Sequence, residues 1–410
     1  MSSLAVIEVA FFYCLAAIVI LLGVTSLLSG VRFARFVRRQ LNQVTPEFTP
    51  FVSVIAPGRG LEQGLRENIT AILKQNYPSY EVVFVTGNMG DPALQLVTEL
   101  SELIIAGPQV KTRIVIAGDA TDSGQKVHNL RAATREADLA SEVLVFVDTD
   151  ARPHENWMRS LVAPLQDKNL GATTGYRWFV AEKGGLASHL RSVWNASIAS
   201  ALGDRDDQNF CWGGSTAIRR ATFEKLNVNE RWRGTVSDDF TMMRILREAK
   251  LPIRFIPACL VPSFGACSFH ELLEFTTRQL KITRVYAPHF WRSVLLGSLL
   301  FVLACFGGIG LVVTRAALGL PIIIPLVLLL IIFGLGAAKG LVRLRAVSLV
   351  LANYQVSTRQ SWLAHVCLWP FTSLLYLYNS LVAAFSRRIK WRGITYELKS
   401  PTEAVIISRE

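Results

Sequence analysis

The sequence predicts an α/β domain attached to a membrane by apolar helices at both ends, and three observations lead to this fold class. The chain has 410 residues, of which 51% are hydrophobic and only 18% are charged, whereas a soluble domain carries about a quarter charged residues. The apolar excess is concentrated in long uncharged stretches near the two ends. Between them, short apolar runs alternate with helical patterns. Both a disordered chain and an ordinary soluble enzyme are therefore disfavoured.

Three stretches contain no charged residue: 9–30, 293–314 and 316–338. Each is long enough to cross a hydrocarbon core of about 30 Å as a helix. A basic cluster follows the first stretch and, by the positive-inside rule, places that side in the cytoplasm; it consists of Arg32, Arg35, Arg38 and Arg39. We therefore predict a membrane anchor over residues 1–31 with its N-terminus outside, and a cytoplasmic domain over residues 32–292.

Residues 293–385 are predicted to form a C-terminal membrane region, in which the second and third stretches make a hairpin. A further apolar stretch, 361–385, is interrupted by Pro370 and has basic residues on both sides, including Arg359. A Pro-broken re-entrant or interfacial pair of helices would satisfy both flanks, and a single crossing is the alternative. Residues 386–410 are predicted to be a basic cytoplasmic tail. The chain is thus expected to be a multi-pass protein of a bacterial inner membrane, or of an ER or Golgi membrane in a eukaryote.

The net charge of +12 needs no nucleic acid to explain it. The basic residues gather beside membrane segments, where they can meet anionic lipid headgroups, and no stripe of basic and aromatic residues indicates nucleic-acid binding. The six cysteines form no CxxC pair and the six histidines show no ligand spacing. Neither zinc nor disulfides are therefore predicted.

The cytoplasmic domain reads as alternating strands and helices. Strands are predicted at 52–56, 81–85, 113–117 and 143–147, and helices at 65–75, 92–103 and 126–137. Unbroken Val/Ile/Leu strands joined by helices indicate a parallel sheet covered on both faces. Such sheets bind ligands beyond the carboxyl ends of their strands. The candidate site is therefore expected among residues 57–60, 86–91, 118–126 and 148–150.

Two acidic motifs could carry chemistry. Asp148 and Asp150 directly follow the strand 143–147, so their carboxylates can share a divalent cation, although a solvated turn often contains the same pattern. Ser237 precedes Asp238, Asp239 and a helical segment over 240–250. The simplest interpretation is a helix N-cap followed by acids that favour the helix dipole. A carboxylate there could also be a general base toward a hydroxyl group, and the two roles are compatible.

Seven motifs occur in an order that resembles family 2-type glycosyltransferases, and most of all their ceramide glucosyltransferase branch (family 21) with its bacterial relatives. They are the strand 52–56, Tyr77-Pro78-x-Tyr80-Glu81-Val82, Asp91-Pro92-Ala93, Lys126-Val127-His128-Asn129-Leu130, Asp148-Thr149-Asp150, Gly213-Gly214-Ser215 and Ser237-Asp238-Asp239. The membrane layout and the tail motif Lys390-Trp391-Arg392 are similar as well.

The resemblance implies a GT-A type, Rossmann-like domain that inverts the sugar's stereocentre while transferring it from a nucleotide-diphosphate sugar, such as UDP-glucose, to a lipid alcohol. It implies Mg²⁺ or Mn²⁺ held by Asp148 and Asp150, and Asp239 as the catalytic base beside Asp238. The remaining donor-binding candidates are Pro57, Arg59, Gly60, Asp91, Lys126, Asp148, Gly213 and Gly214. A plain turn is the alternative for the two glycines, and a salt-bridged surface lysine is the alternative for Lys126.

Two departures from the family pattern stand out. The acid that usually follows the second strand and grips the nucleoside is replaced by Thr86-Gly87-Asn88, which leaves Asp91 as the nearest acid. The late (Gln/Arg)-x-x-Arg-Trp motif appears as Arg278-Gln279-Leu280-Lys281-Ile282, without its aromatic ring. Arg278, Lys281 and Arg284 could still neutralise a departing diphosphate, or form a basic interfacial helix.

Two other functions remain open on the sequence. A processive polysaccharide synthase would use the same donor but needs a channel of crossing helices and the missing tryptophan. A non-catalytic membrane protein that binds nucleotide sugars would explain the altered donor acid. Helical segments 186–202 and 269–287 mix apolar and basic residues and are candidates for a lipid entrance, although ordinary core packing explains the first one better.

Overall fold

A computed structural model describes residues 3–44, 46–104, 110–181, 184–354 and 361–410; Arg359 lies outside these residues. The central sheet has seven strands in the order β3-β2-β1-β4-β6-β5-β7. They are β1 (Val52–Pro57), β2 (Tyr80–Thr86), β3 (Val110–Ile116), β4 (Val143–Phe146), β5 (Ala172–Val180), β6 (Thr216–Arg219) and β7 (Ile253–Phe264). The sheet reverses its order between β1 and β4, so loops that follow these two strands diverge and leave a crevice.

The four predicted strands correspond to β1, β2, β3 and β4 and are parallel to one another, as expected. The complete sheet is mixed, because β6, where no strand was predicted, runs antiparallel to both of its neighbours, β4 and β5. A short strand buried on both faces has the same apolar pattern whichever way the chain runs, so the sequence could not show this reversal. Coverage of both faces is confirmed. Val54 and Ile55 are adjacent and both fully buried, yet they belong to separate cores on opposite faces of the sheet.

Fifteen helices occur in the described residues. They are α1 (Ser3–Leu41), α2 (Leu65–Leu73), α3 (Pro92–Ile104), α4 (Gln125–Glu136), α5 (Trp157–Val162), α6 (Leu186–Ala199), α7 (Arg220–Lys225), α8 (Val228–Arg231), α9 (Asp238–Glu248), α10 (Phe269–Tyr286), α11 (Pro288–Val302), α12 (Gly308–Ala317), α13 (Ile323–Leu351), α14 (Trp362–Cys367) and α15 (Trp369–Phe385). Within the sheet domain, α4 and α9 cover one face, while α2, α3 and the inner ends of α1 and α13 cover the other.

Among the described residues, three helical segments are long and apolar enough to cross a membrane: Glu8–Leu41, Pro288–Ala317 and Ile323–Leu351. The predicted stretch 316–338 is misplaced. Gly319, at a φ of +67°, lies in the turn between α12 and α13, and the last of these helices continues to Leu351. Apolar turn residues and apolar helix residues read alike in a hydropathy pattern. The segment 361–385 folds as two helices, with Pro370 in the first turn of α15.

The C-terminal tail forms a three-stranded antiparallel sheet, which the sequence analysis did not foresee. Its strands are β8 (Arg388–Trp391), β9 (Ile394–Ser400) and β10 (Glu403–Arg409), in the order β10-β9-β8. We call it the tail sheet. Its apolar face buries Ile389, Tyr396 and Leu398 against Val236 and Ile282 of the main domain. This packing brings the C-terminus to the carboxyl ends of the central strands.

Candidate active site

A cavity of about 630 Å³ opens at the carboxyl ends of β1 and β4. The cavity is lined by Asp148, Asp150 and Lys126, and also by Asp238 and Asp239 from the start of α9. The two acidic motifs, which are separated by nearly ninety positions in the chain, therefore face one space. The crevice at the reversal of strand order is the place where the parallel part of the sheet predicts a ligand.

The two aspartates of the first motif converge on a single arginine. Arg177 of β5 places Nη2 3.2 Å from Asp148 Oδ2 and Nη1 3.1 Å from Asp150 Oδ2. Its guanidinium also lies 4.9 Å from the centre of the Trp212 ring. Although burial lowers the pKa of Arg177, the two carboxylates more than offset it and raise that pKa above its ordinary value. Arg177 was not among the predicted site residues. The signal that could have revealed it is a charged residue inside an otherwise apolar strand.

Lys126, at the start of α4, links the two acidic motifs. Its Nζ lies 2.7 Å from Asp148 Oδ1 and 3.4 Å from Asp238 Oδ1. Burial lowers the pKa of Lys126, but the adjacent carboxylates raise it further, so the side chain stays a cation. The same neighbours act on Asp148: burial raises the pKa of its carboxyl group, and Lys126 and Arg177 bring it below the usual range. This is a buried ion-pair network and not the surface lysine of the alternative interpretation.

The pKa of Asp238 shifts in the opposite direction from the pKa of Asp148, because the nearby cations offset the effect of burial less completely at Asp238. Burial, opposed by Lys126 and assisted by Asp239, raises the pKa of Asp238 to about 6. Gly213 makes room for this carboxylate, since a Cβ there would overlap Asp238 Oδ2 and lie 2.9 Å from Lys126 Nζ. A Cβ on Gly214 would overlap the Trp212 ring. Both glycines therefore permit close packing behind the cavity wall.

Asp239 lies at the N-terminus of α9, where the cap predicted from the sequence is present. Ser237 Oγ accepts a hydrogen bond from the amide of Phe240 at 3.3 Å. The same amide donates to Asp239 Oδ1 at 2.7 Å, and the Ser237 hydroxyl donates to that oxygen. These contacts fix the carboxylate at the positive end of the helix while it stays partly exposed to the cavity.

The donor-binding candidates after β1 and β2 separate into two groups. Pro57 and Arg59 line the cavity. Asp91 does not, because its carboxylate accepts hydrogen bonds from the amide of Gly60 at 2.9 Å and from the hydroxyl of Thr86 at 2.8 Å. Gly60, at a φ of +70°, adopts the left-handed conformation that glycine tolerates best. Asp91 and Gly60 therefore shape the loop that carries Arg59.

The basic residues of α10 also separate. Arg278 lines the cavity, where burial lowers its pKa to about 10, and its guanidinium lies 5.4 Å from the centre of the Trp391 ring. Lys281 instead donates from Nζ to the carbonyl of Arg388 at 2.7 Å, and Arg284 donates to the carbonyl of Ala383. Only Arg278 of the three thus faces the cavity, and the tail sheet supplies the ring that α10 lacks.

One part of the cavity lining is aromatic, and it adjoins the charged part, because the Arg278 guanidinium lies 5.6 Å from the centre of the Phe275 ring. Trp194 and Ile198 of α6 and Phe275 of α10 line this aromatic part, and Phe275 packs edge-on against Trp194 with ring centres 5.9 Å apart. Trp194 also stacks on Tyr376 of α15 at 5.0 Å. The two helical segments proposed as a lipid entrance therefore both reach the cavity, and α15 packs against both of them.

The acidic pair has the chemistry of a divalent metal site. Carboxylate oxygens suit Mg²⁺ and Mn²⁺, and Mg²⁺ is commonly held by one or two carboxylates together with substrate phosphates. The convergence of Asp148 and Asp150 on Arg177 shows that both carboxylates face one cation position. In the described part of the chain, no group of three or more His, Cys, Asp or Glu side chains could hold an ion alone. The pair fits a metal whose other ligands come from a diphosphate and water.

Comparison with known proteins connects this geometry to a family. Ceramide glucosyltransferase 1 of Caenorhabditis elegans is 29% identical over 136 residues, which is 32% of this chain and 28% of that protein. Glycosyltransferase AglE of Haloferax volcanii is 22% identical over 160 residues, or 38% of this chain and 49% of that protein. The chain thus matches between about a quarter and a half of the length of these relatives.

A mannosyltransferase, PcManGT from Pyrobaculum calidifontis, solved in complex with GDP-Man and Mn²⁺, is 18% identical to this chain. The match covers 90% of this chain and 99% of the mannosyltransferase, with a TM-score of 0.48. The profile described as glycosyl transferase family 21 matches residues 11–404. The resemblance found in the sequence is therefore confirmed, and the chain belongs to glycosyl transferase family 21.

Proposed function

We propose that this protein is a membrane-bound inverting glycosyltransferase, which moves a sugar from a nucleotide-diphosphate sugar such as UDP-glucose to the hydroxyl of a lipid like ceramide. The observation that carries the proposal is the mixed lining of one cavity: paired carboxylates and cations occupy one part, and aromatic side chains that pack on α15 occupy the adjoining part. A charged donor and an apolar acceptor can meet there. The cytoplasmic placement of the domain follows from the basic residues after the first apolar stretch.

The donor end provides charge for the diphosphate. Asp148 and Asp150 would hold Mg²⁺ or Mn²⁺, which acts as a Lewis acid toward the diphosphate oxygens. Lys126 keeps Asp148 ionised through its contact of 2.7 Å. Arg278 is buried at the cavity wall, where a guanidinium stabilises negative charge more strongly than it would in water.

The acceptor proton goes to Asp239. Its carboxylate is held by the amide of Phe240 and the Ser237 hydroxyl, so one face remains free for a hydroxyl from the cavity. The acceptor oxygen attacks the anomeric carbon as Asp239 takes its proton, and the bond to the diphosphate breaks on the opposite side. Attack on the face opposite the leaving diphosphate inverts the stereocentre and converts an α-linked donor into a β-linked product. Asp238 and Lys126 hold the start of α9 against the acidic pair.

A lipid acceptor is supported by the walls of the cavity. Trp194 and Phe275 are rigid, apolar surfaces suited to an acyl chain or sphingoid base. Helices α10 and α15 pack together through the Thr277 hydroxyl, which donates to Asn379 Oδ1 at 2.8 Å. Trp194 and Phe275 share one hydrophobic cluster with Leu375 and Ala383 of α15, so apolar side chains of α15 adjoin the aromatic part of the cavity and would connect it to the apolar C-terminal helices.

The test is a transfer assay on the full chain in detergent or membranes, with radiolabelled UDP-sugars and a lipid extract. Labelled lipid is expected from the wild type, and Asp239→Asn is expected to lower turnover at least about 10³-fold, because a general base and its charge are lost, while UDP affinity is unchanged. Asp207→Asn, an exposed acid outside the cavity, is the control. Labelled polymer would support a processive synthase, and binding without any product would support a non-catalytic role.

A further inference from the structure

The tail sheet contacts the loops that follow the central strands. Arg392 donates from Nη1 to the carbonyl of Arg59 at 2.9 Å and forms an ion pair with Glu62. Tyr396 Oη accepts a hydrogen bond from the amide of Gln125 at 3.1 Å. These contacts fall on the loop after β1 and on the N-terminus of α4. The tail sheet therefore reaches the nucleotide end of the cavity, in addition to packing on α10 through Ile282.

The contact residues are also part of the cavity wall. Arg392, Tyr396 and Glu62 line the cavity beside Arg59, whereas Glu397 and Lys399 of the same tail sheet do not. One oxygen of Glu62 pairs with Arg392, and the other, Oε2, is buried without a hydrogen-bond partner among the described residues. A buried carboxylate oxygen without a donor is costly. In a cavity wall it indicates a ligand that brings the missing donor.

The backbone at Arg392 is a second, independent observation. Arg392 and Gly393 connect β8 to β9 with φ values of +49° and +75°, as a two-residue type I′ turn requires. The first position of such a turn favours Asn, Asp or Gly, and an arginine there pays a conformational cost. Residues kept in a strained conformation cluster where a ligand is bound. Asparagine, aspartate or glycine would relieve this strain, and the chain has arginine instead. We therefore expect the Arg392 side chain to have a role at this position.

The acid that usually grips the nucleoside is absent after β2, and Asp91 is engaged by Gly60 and Thr86. We propose that Glu62 replaces it: Glu62 Oε2 accepts a hydrogen bond from a ribose hydroxyl of the donor, and Arg392 of the tail sheet positions Glu62 for that contact. The ligand class is the nucleoside half of a ribonucleoside-diphosphate sugar. This inference rests on the proposed function, since it assigns a ligand to the donor end of the same cavity.

Nucleotide binding tests this assignment without turnover. Calorimetry on the purified full chain uses UDP and GDP, and then the 2′-deoxy and 3′-deoxy forms of whichever binds. The wild type should bind at least one deoxy form about 10- to 100-fold more weakly, which is typical of a lost hydrogen bond to a charged group. Glu62→Ala should bind the ribonucleotide weakly and lose most of this discrimination. Glu397→Ala is the control outside the cavity.

Arg392→Asn separates positioning from folding. Asparagine suits the first position of the turn, so the variant should unfold at the same or a higher temperature than the wild type, while ribonucleotide affinity and the discrimination against deoxy forms fall several-fold. Lys399→Ala, on the same sheet, should change neither. If Arg392→Asn and Glu62→Ala keep wild-type affinity and discrimination, the assignment is wrong. If the wild type binds neither UDP nor GDP, the proposed function itself fails.

Discussion

The two ends of the cavity are built in different ways. At the donor end, Asp148 follows β4, Arg59 follows β1 and Lys126 lies in the first turn of α4, and Asp148 and Lys126 form a close ion pair. At the other end, Trp194 and Phe275 come from helices far apart in the chain and meet through ring packing. The charged end therefore depends on a few distances, whereas the aromatic end depends on shape. Substitutions should affect turnover sharply at the first end and acceptor use gradually at the second.

The largest effect is expected at the acidic pair. Asp150→Ala removes one of the two carboxylates that face a single cation position and should lower sugar transfer about 10³-fold, because charge stabilisation of the diphosphate is lost. Initial rates of labelled glycolipid formation at saturating donor and metal measure this. Loss of metal-dependent nucleotide binding should accompany it. A variant that keeps at least a tenth of the wild-type rate would remove Asp150 from the metal site.

A smaller effect at the same end is expected from Gly213→Ala. The added Cβ overlaps the Asp238 carboxylate and crowds Lys126 Nζ at 2.9 Å, so Asp238 and Lys126 must shift. We expect turnover to fall about 10²-fold and the free energy of unfolding to fall by about 1–3 kcal/mol, as for other overpacked sites. Gly203→Ala is the matched control, because nothing lies within 4 Å of its added Cβ. Equal behaviour of the two variants would contradict the packing argument.

The aromatic end should respond differently. Phe275→Ala removes a ring from the cavity wall without removing charge, so the KM for the lipid acceptor should rise about tenfold, the order expected for a lost aromatic contact. Because the same ring packs against Arg278, the affinity for UDP should change, but by less than the acceptor KM does. Initial rates at varied acceptor concentration, with UDP calorimetry in parallel, measure this. Leu273→Ala, on the same helix but outside the cavity lining, is the control. If Phe275→Ala weakens UDP binding more than it raises the acceptor KM, the ring belongs to the donor end instead.

The last effect concerns stability and its pH dependence, and not turnover. The pKa of Asp238 is raised by burial to about 6 from its ordinary 3.8, so its ionisation destabilises the fold in full above pH 6, and this cost declines as the pH falls from 6 toward 3.8. Asp238→Asn should therefore exceed the wild type in stability at pH 8, by up to about 3 kcal/mol, and the difference should shrink toward pH 5. Thermal unfolding of both proteins across this range measures it. A difference that grows toward pH 5 would reverse the assigned sign.

Much of the charged end could be predicted from the sequence, because it depends on local patterns. The position of Asp148 and Asp150 after a buried strand and the Ser237 cap are short-range signals, and both are present. The partner of the acidic pair was not predictable in this way. Arg177 reaches it from β5, 27 residues beyond Asp150, and only the pairing of strands in three dimensions brings it there.

The tail sheet was missed for a related reason. Alternating apolar residues in β9 are compatible with a strand, but a basic segment after membrane helices reads as a tail when nothing shows what it packs against. Ile282, which stands where the family has tryptophan, packs in the same cluster as Ile389 and Tyr396. Trp391 reaches Arg278 from the tail sheet. Such long-range replacement of a side chain has no local signature.

The inner ends of α1 and α13 enter the same core as the central sheet. Phe36 lies 6.2 Å from Phe255 of β7, measured between ring centres, and Val37 and Val347 are fully buried there. A soluble fragment cut at the ends of these helices would expose part of that core to water, at about 25 cal/mol for each Å² of apolar surface. A shortened chain made for crystallisation should therefore retain residues 33–41 and 344–351, or carry polar replacements for their apolar side chains at the new surface.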